Sequence, residues 1–307
     1  MLKKIKSFCI LFILILVMIF TLLHPSFVFK NILEAIKVFQ NNLFPAMSFF
    51  YTLSDLLINY HFVEVLEKIF NSLFIKVFHI GGASSFIVIM SVLSGFPSGS
   101  KYITHFLEKK IIDRDTANYL LTFTHFSNPL FIMGTISILY GRKLAIVILL
   151  SHYVANFVLA FLIRPKEVKI EQHVYKRETS SFSDTLATSF YASFKTLLLI
   201  LGNTIFFFTV SDILTNFVEN PIFKSILYGL FDLTKGVLSV KSLPITLFFQ
   251  ALLLTSFLTF GGLSVHFQVK EIIKKEDIKY FYFLAGRISS LALAILLLIC
   301  YFAIGII

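Results

Sequence analysis

The chain has 307 residues, of which 57% are hydrophobic and only 14% charged, with a mean hydropathy of +0.86. A soluble globular chain carries roughly 45–50% apolar and about 25% charged residues. A water-soluble enzyme, a disordered chain and a nucleic-acid-binding domain are therefore poor fits, and the expected class is an all-α polytopic membrane protein. The net charge of +10 requires no nucleic acid, because basic residues between apolar spans set topology and meet anionic headgroups. Cys9 and Cys300 both lie in apolar runs, and two such cysteines build neither a disulfide framework nor a thiolate metal site.

Residues 1–29 read as an N-terminal transmembrane helix. Lys3, Lys4 and Lys6 precede an apolar run from Phe8 to Leu23 that is not followed by a small-x-small cleavage signal. The positive-inside rule puts this end of the chain in the cytoplasm. A first half, 30–164, follows. Asn31–Asn41 is amphipathic, Phe44–Ile58 is apolar and closes at Ser54-Asp55, and Phe62–Phe78 is amphipathic again. Ser84–Leu93 is too short to span and runs into Ser94-Gly95-Phe96-Pro97-Ser98-Gly99-Ser100-Lys101. Leu120–Tyr140 has spanning length but is interrupted by His125, Asn128 and Pro129, whereas Leu144–Ile163 is a clean span. A polar linker, 165–185, then divides the chain. The second half, 186–307, holds apolar Phe194–Phe217 and Leu243–Phe260, the pair Gly261-Gly262, amphipathic Val265–Asp277 and a closing span, Phe281–Ile307.

The halves resemble each other. Thr52-Leu53-Ser54-Asp55 recurs as Thr209-Val210-Ser211-Asp212 in a matching apolar frame, and Gly95 and Ser98 fall opposite Gly261 and Ser264. Two pseudo-symmetric repeats of inverted topology, each with a broken or re-entrant helix, are the expected architecture. Such paired interrupted segments point to a transporter binding site.

Gly95–Lys101 superficially resembles a phosphate loop but fails the pattern, because Ser100 separates Gly99 from Lys101. A half-helix ending inside the membrane fits better. Pro97 removes an amide donor, while Gly95 and Gly99 permit a tight turn. Ser98, Ser100 and the following helix start, with Lys101 close by, then favour an anion. The dull alternative is a kink with an interfacial lysine. In the second break, Gly261, Gly262, Ser264, His266 and Gln268 offer hydrogen bonds, although small residues also serve plain helix packing. Asn128 before Pro129 resists helical geometry and either meets a solute or satisfies freed carbonyls. Asp55 and Asp212 are candidates for ion coupling, or for interfacial anchoring. No GxSxG, HExxH, GxGxxG or CxxC occurs, so no catalytic residue, metal or cofactor is expected.

In this order the interruptions resemble the YlbJ-type sporulation integral membrane proteins. Phe44-Pro45 leading to Leu53–Leu57, then Ser94–Lys101, Asn128–Thr135, Ser151-His152-Tyr153, Gly229–Gly236 and Phe260–Val269 carry the likeness. Phe96 and Ser100 stand where Tyr and Ala are commoner. The resemblance implies membership of the wider group with the nucleoside recognition or Gate domain. It also implies a role in endospore formation, and transport of a small anion, dipicolinic acid, across the outer forespore membrane. Alternatives are a nucleoside or other solute carrier, or a structural sporulation protein assembling with itself or with other membrane proteins.

Overall fold

A computed structural model describes residues 2–169 and 181–305. Apart from one isolated bridge between Ile80 and Lys169, all regular structure among the described residues is helical. Helix α1 (Leu2–Leu23) meets the run from Pro25 at a bend of 105°. Pro25 fits there because the first helical residue needs no amide partner. Helix α2 (Pro25–Val38) continues through a π turn, Phe39–Leu43, into α3 (Phe44–Asn59). Helix α4 (Phe62–Phe78) matches the expected amphipathic segment, and α5 (Ser84–Ser94) and α6 (Ser98–Glu108) form a helical hairpin.

Helix α7 (Arg114–Phe123) ends before an irregular stretch, and helix resumes as α8 (Pro129–Phe131), a π turn (Ile132–Ile136) and α9 (Ser137–Tyr140). Helix α10 (Arg142–Leu162) closes the first half. The second half comprises α11 (Phe182–Thr215), a hairpin of α12 (Pro221–Phe231) and α13 (Leu233–Val240), then α14 (Leu247–Phe260), α15 (Gly262–Ile273) and α16 (Tyr280–Ala303).

Among the described residues, four helical runs are long and apolar enough to cross a membrane, namely α10, α11, α14 with α15, and α16; a fifth arises if the bent pair from Ile10 to Asn59 counts as one. Ile146, Leu150 and Val154 of α10, Leu198 of α11 and Leu296 of α16 are exposed. An apolar mantle of this extent is stable only against lipid. The chain is an all-α, multi-pass membrane protein.

Two expectations change. The linker was placed at 165–185, but α11 begins at Phe182, where the Ser181 hydroxyl accepts a bond from the Asp184 amide at 3.2 Å and caps the helix. The centre of that linker, 170–180, lies outside the described residues. A further helix break also stands at Asp232, between α12 and α13, where no Gly or Pro announces it.

The core is organised by pairs of packed helices. Helix α3 packs along α11, α10 along α16, α16 also lies on α7, and α10 on α14. Gly286 of α16 lies so close to α7 that a Cβ there would stand 1.9 Å from the Thr122 carbonyl oxygen.

Candidate solute site

Four helix interruptions meet in the middle of this bundle. The first is the turn Gly95–Pro97. Gly95 has φ +74, and a Cβ on it would meet Asn128 at 2.7 Å, so glycine is required on both counts. Beyond the turn, the Ser98 hydroxyl donates back to the Gly95 carbonyl at 2.5 Å and the Ser100 hydroxyl to the Pro97 carbonyl at 2.6 Å. Both serines are fully buried and already satisfied. Gly99 lets the new helix approach the end of α7, since a Cβ would lie 2.1 Å from the Thr124 carbonyl oxygen.

Asn128 forms the second interruption. Its carboxamide oxygen accepts from the Leu130 and Phe131 amides at 2.7 and 3.3 Å, capping α8. Its nitrogen donates to the carbonyls of Ala46, Leu93 and Ser94 at 2.9, 2.9 and 3.3 Å. Of the two roles open to it, Asn128 takes the second, satisfying carbonyls freed where α5 ends.

Asp232 is the third. One carboxylate oxygen accepts from the Thr234 and Lys235 amides at 3.0 and 3.1 Å, and the Ser264 hydroxyl also donates to the group. A helix N-terminus attracts negative charge. Here the starts of α13 and α15 converge as expected of an anion site, but the charge they hold is the chain's own Asp232.

Gly261, at φ +90, makes the fourth interruption. His266 does not face the solute position. Its Nδ1 contacts the Tyr280 hydroxyl at 2.6 Å and its Nε2 the Phe260 carbonyl at 3.1 Å, at the end of α14.

Between these interruptions lies a cavity of about 30 Å³, lined by Phe96, Asn128, Phe131, Thr204, Asp232, Thr234, Ser264 and Gln268 among others. Gln268 and Thr204 are 3% and 1% exposed, and both line this cavity. Thus Asn128, Ser264 and Gln268 of the expected set reach the cavity, whereas Gly95, Pro97, Ser98, Gly99, Ser100, Gly261 and Gly262 shape its walls.

Lys101 points elsewhere. It donates to Asp55 at 2.9 and 3.0 Å, at the edge of a second, larger cavity of about 790 Å³ between α3, α6, α11 and α15. Lys195, His105, Glu108, Glu271 and Lys275 also line this vestibule.

A second ion pair has the same design. Lys235 pairs with Asp212, donates to the Phe208 carbonyl at 2.8 Å, and Asp212 accepts from the Tyr228 hydroxyl at 2.9 Å. Each lysine lies in the first turn of the second helix of a hairpin, α6 or α13, and pairs with the aspartate of a Thr-x-Ser-Asp. Each also lies over the ring four residues before that aspartate, Tyr51 at 5.6 Å or Phe208 at 4.1 Å. In geometry, therefore, 95–101 corresponds to 229–235. The expected register, Gly95 and Ser98 against Gly261 and Ser264, is corrected by these pairs.

Over 306 aligned positions, covering 86% of this chain and 75% of the relative, 26% of residues are identical to the sporulation integral membrane protein YlbJ of Bacillus subtilis (strain 168). The chain is thus similar to a sporulation integral membrane protein over most of its length. No family profile matches it, and no solved structure does.

At the centre of the bundle stands a residue that belongs to none of the sequence motifs. Arg287 of α16 is fully buried. Its guanidinium donates to the carbonyls of His125 at 2.8 Å, Thr122 at 3.2 Å and Thr259 at 3.3 Å, and to the Asn156 side chain at 2.7 Å. The carbonyl ends of α7 and α14 carry partial negative charge, and one fixed cation satisfies both. The available signal was an arginine inside an apolar span, which is functional or structural by default.

Proposed function

We propose that this chain is a carrier that moves a small planar acid, dipicolinate, across a membrane of a spore-forming cell, and that the central cavity is where the solute binds. The observation that carries this reading is the meeting of four helix interruptions around a buried cavity lined by the polar side chains of Gln268, Thr204, Thr234 and Asp232. Irregular backbone inside a membrane persists only where it packs on protein or lines a cavity. The twin ion pairs support reading the halves as two copies of one unit, and a binding place between repeats is the arrangement common to many carriers.

The vestibule of about 790 Å³ offers room for a small acid to approach. The inner cavity of about 30 Å³ holds about one water, so loading requires the halves to part. Phe96 and Phe131 supply flat walls suited to an aromatic ring. Dipicolinate and the outer forespore membrane come from the likeness to the YlbJ-type sporulation proteins. No covalent step is needed, so the chain is read as a carrier and not an enzyme.

The test is uptake of labelled dipicolinate by a host expressing the chain. Uptake above vector controls is expected, with Thr204→Phe filling the cavity and abolishing it while the protein still accumulates in the membrane. No uptake by the wild type would end the dipicolinate reading. Wild-type uptake by Thr204→Phe would move the binding place elsewhere.

A further inference from the structure

Resting on the choice of the central cavity as the binding place, we infer that the cavity takes its solute through a hydrogen-bond donor aimed at Asp232, so that a dicarboxylic acid enters with a proton and not as the dianion. Three observations on the lining residues lead there.

The first is charge. Among the residues around the cavity Asp232 is the one ionisable side chain, 3% exposed and held by the amides of Thr234 and Lys235 and the hydroxyl of Ser264. The second is that nearby cations are committed elsewhere. Lys101 is paired with Asp55 at the vestibule, and Lys235 with Asp212 and the Phe208 carbonyl. Arg287 is spent on carbonyls and Asn156. The charged groups around Asp232 are Lys235 on its own helix, with Asp212 from α11 and Glu34 from α2 acting on that lysine; His266 on α15 is bonded to Tyr280 and Phe260. None of these places a free positive charge in the cavity.

The third is the character of the other polar groups lining the cavity. Gln268 and Thr204 can each donate and accept. A carboxamide, two hydroxyls with Thr234, and one carboxylate make a place for a solute that brings donors. A carboxylate of the solute that faces Asp232 must then share a proton with it. The proton arrives on the solute, and one hydrogen bond between two carboxyl groups replaces a repulsion between two anions.

The experiment is calorimetric binding of dipicolinate to the purified full chain in detergent. For the wild type, one proton should be taken up per molecule bound, seen as a dependence of heat on buffer ionisation, and affinity should rise about tenfold per unit as pH falls from about 8 to about 6. Asp232→Asn keeps the helix cap, since Asn caps as well as Asp. It should lose the proton uptake and bind the dianion at least tenfold more tightly than the wild type at about pH 8. As a probe independent of any variant, the neutral pyridine-2,6-dicarboxamide should bind the wild type more tightly than dipicolinate at the same pH.

Wild-type binding with no pH dependence and no proton uptake would overturn the inference. So would an Asp232→Asn protein that folds and yet binds more weakly at every pH, or a dicarboxamide that binds no better than dipicolinate. Binding with the expected proton signature, but no transport in liposomes, would end the carrier reading and leave this one standing.

Discussion

Replacing Arg287 by Met removes a guanidinium whose four acceptors have no other donor of comparable charge. The side chain is 0% exposed and bonds three backbone carbonyls and one carboxamide at 2.7–3.3 Å. Methionine has a similar length and is apolar, so the burial of a charge is relieved, but the carbonyl ends of α7 and α14 are left facing each other unpaired. A buried unsatisfied acceptor costs about 1–3 kcal/mol, while hydrogen bonds measured between membrane helices average only about 0.6 kcal/mol, so four acceptors lose about 2–5 kcal/mol in total. At roughly 2–4 °C per kcal/mol for a chain of this size, the thermal midpoint should fall by about 10 °C. Arg287→Lys keeps the charge but reaches fewer acceptors and should fall between the two. Size-exclusion chromatography of the heated, detergent-solubilised protein reads the midpoint. An Arg287→Met midpoint within about 2 °C of the wild type would refute the view that this cation ties the two broken helices together.

The enclosed pair should be the more sensitive of the two ion pairs: Lys235 is 8% exposed and Lys101 20%. Lys235→Met leaves Asp212 without its cation and should cost about 3–5 kcal/mol, with Asp212→Asn added in the same chain recovering most of it, whereas Lys101→Met should cost about 1 kcal/mol. Gly286→Ala should prevent accumulation of folded protein, because its Cβ would stand 1.9 Å from the Thr122 oxygen; normal yield and midpoint would contradict the close approach of α16 and α7. In the connection before α7, burial pushes the Asp113 carboxyl up, but bonds from the Thr116 amide and from Lys169 outweigh this and hold it below the ordinary value. Its contribution is complete above the ordinary carboxylate pKa and is lost as pH falls through the lowered folded value. Asp113→Ala should therefore destabilise by about 1 kcal/mol at neutral pH, with the difference from wild type closing in acid.

Much of the helix plan was legible because local chemistry decides it. The alternation of Glu64, Glu67, Lys68 and Lys76 with apolar residues marks α4 residue for residue. Gly95 and Gly261 mark breaks because their backbones adopt positive φ. Asp232 hid its break: it stands between Phe231 and Leu233, and the cue was its own capacity to cap the helix that follows. Lys101 was assigned to the anion site because it is four residues beyond Pro97, but its partner Asp55 lies 46 residues away. Such distant partners have no local signature. For the same reason the sequence matches Thr52–Asp55 with Thr209–Asp212 but sets Gly95 against Gly261, whereas the ion pairs of Asp55 with Lys101 and of Asp212 with Lys235 set Lys101 against Lys235. The length of α11 was underestimated because Ser181 and Asp184, polar residues of the apparent linker, form its cap.

The most direct measurement is counterflow in liposomes holding the purified chain. Vesicles loaded with unlabelled dipicolinate are diluted into a trace of labelled dipicolinate, and the label inside is followed with time. A carrier that binds solute between two halves and exposes it to each side in turn should draw label in transiently above its equilibrium level, and Thr204→Phe should abolish this overshoot. Label that only equilibrates, or that never enters beyond empty vesicles, would contradict a carrier with its binding place at Asp232, Thr204 and Gln268.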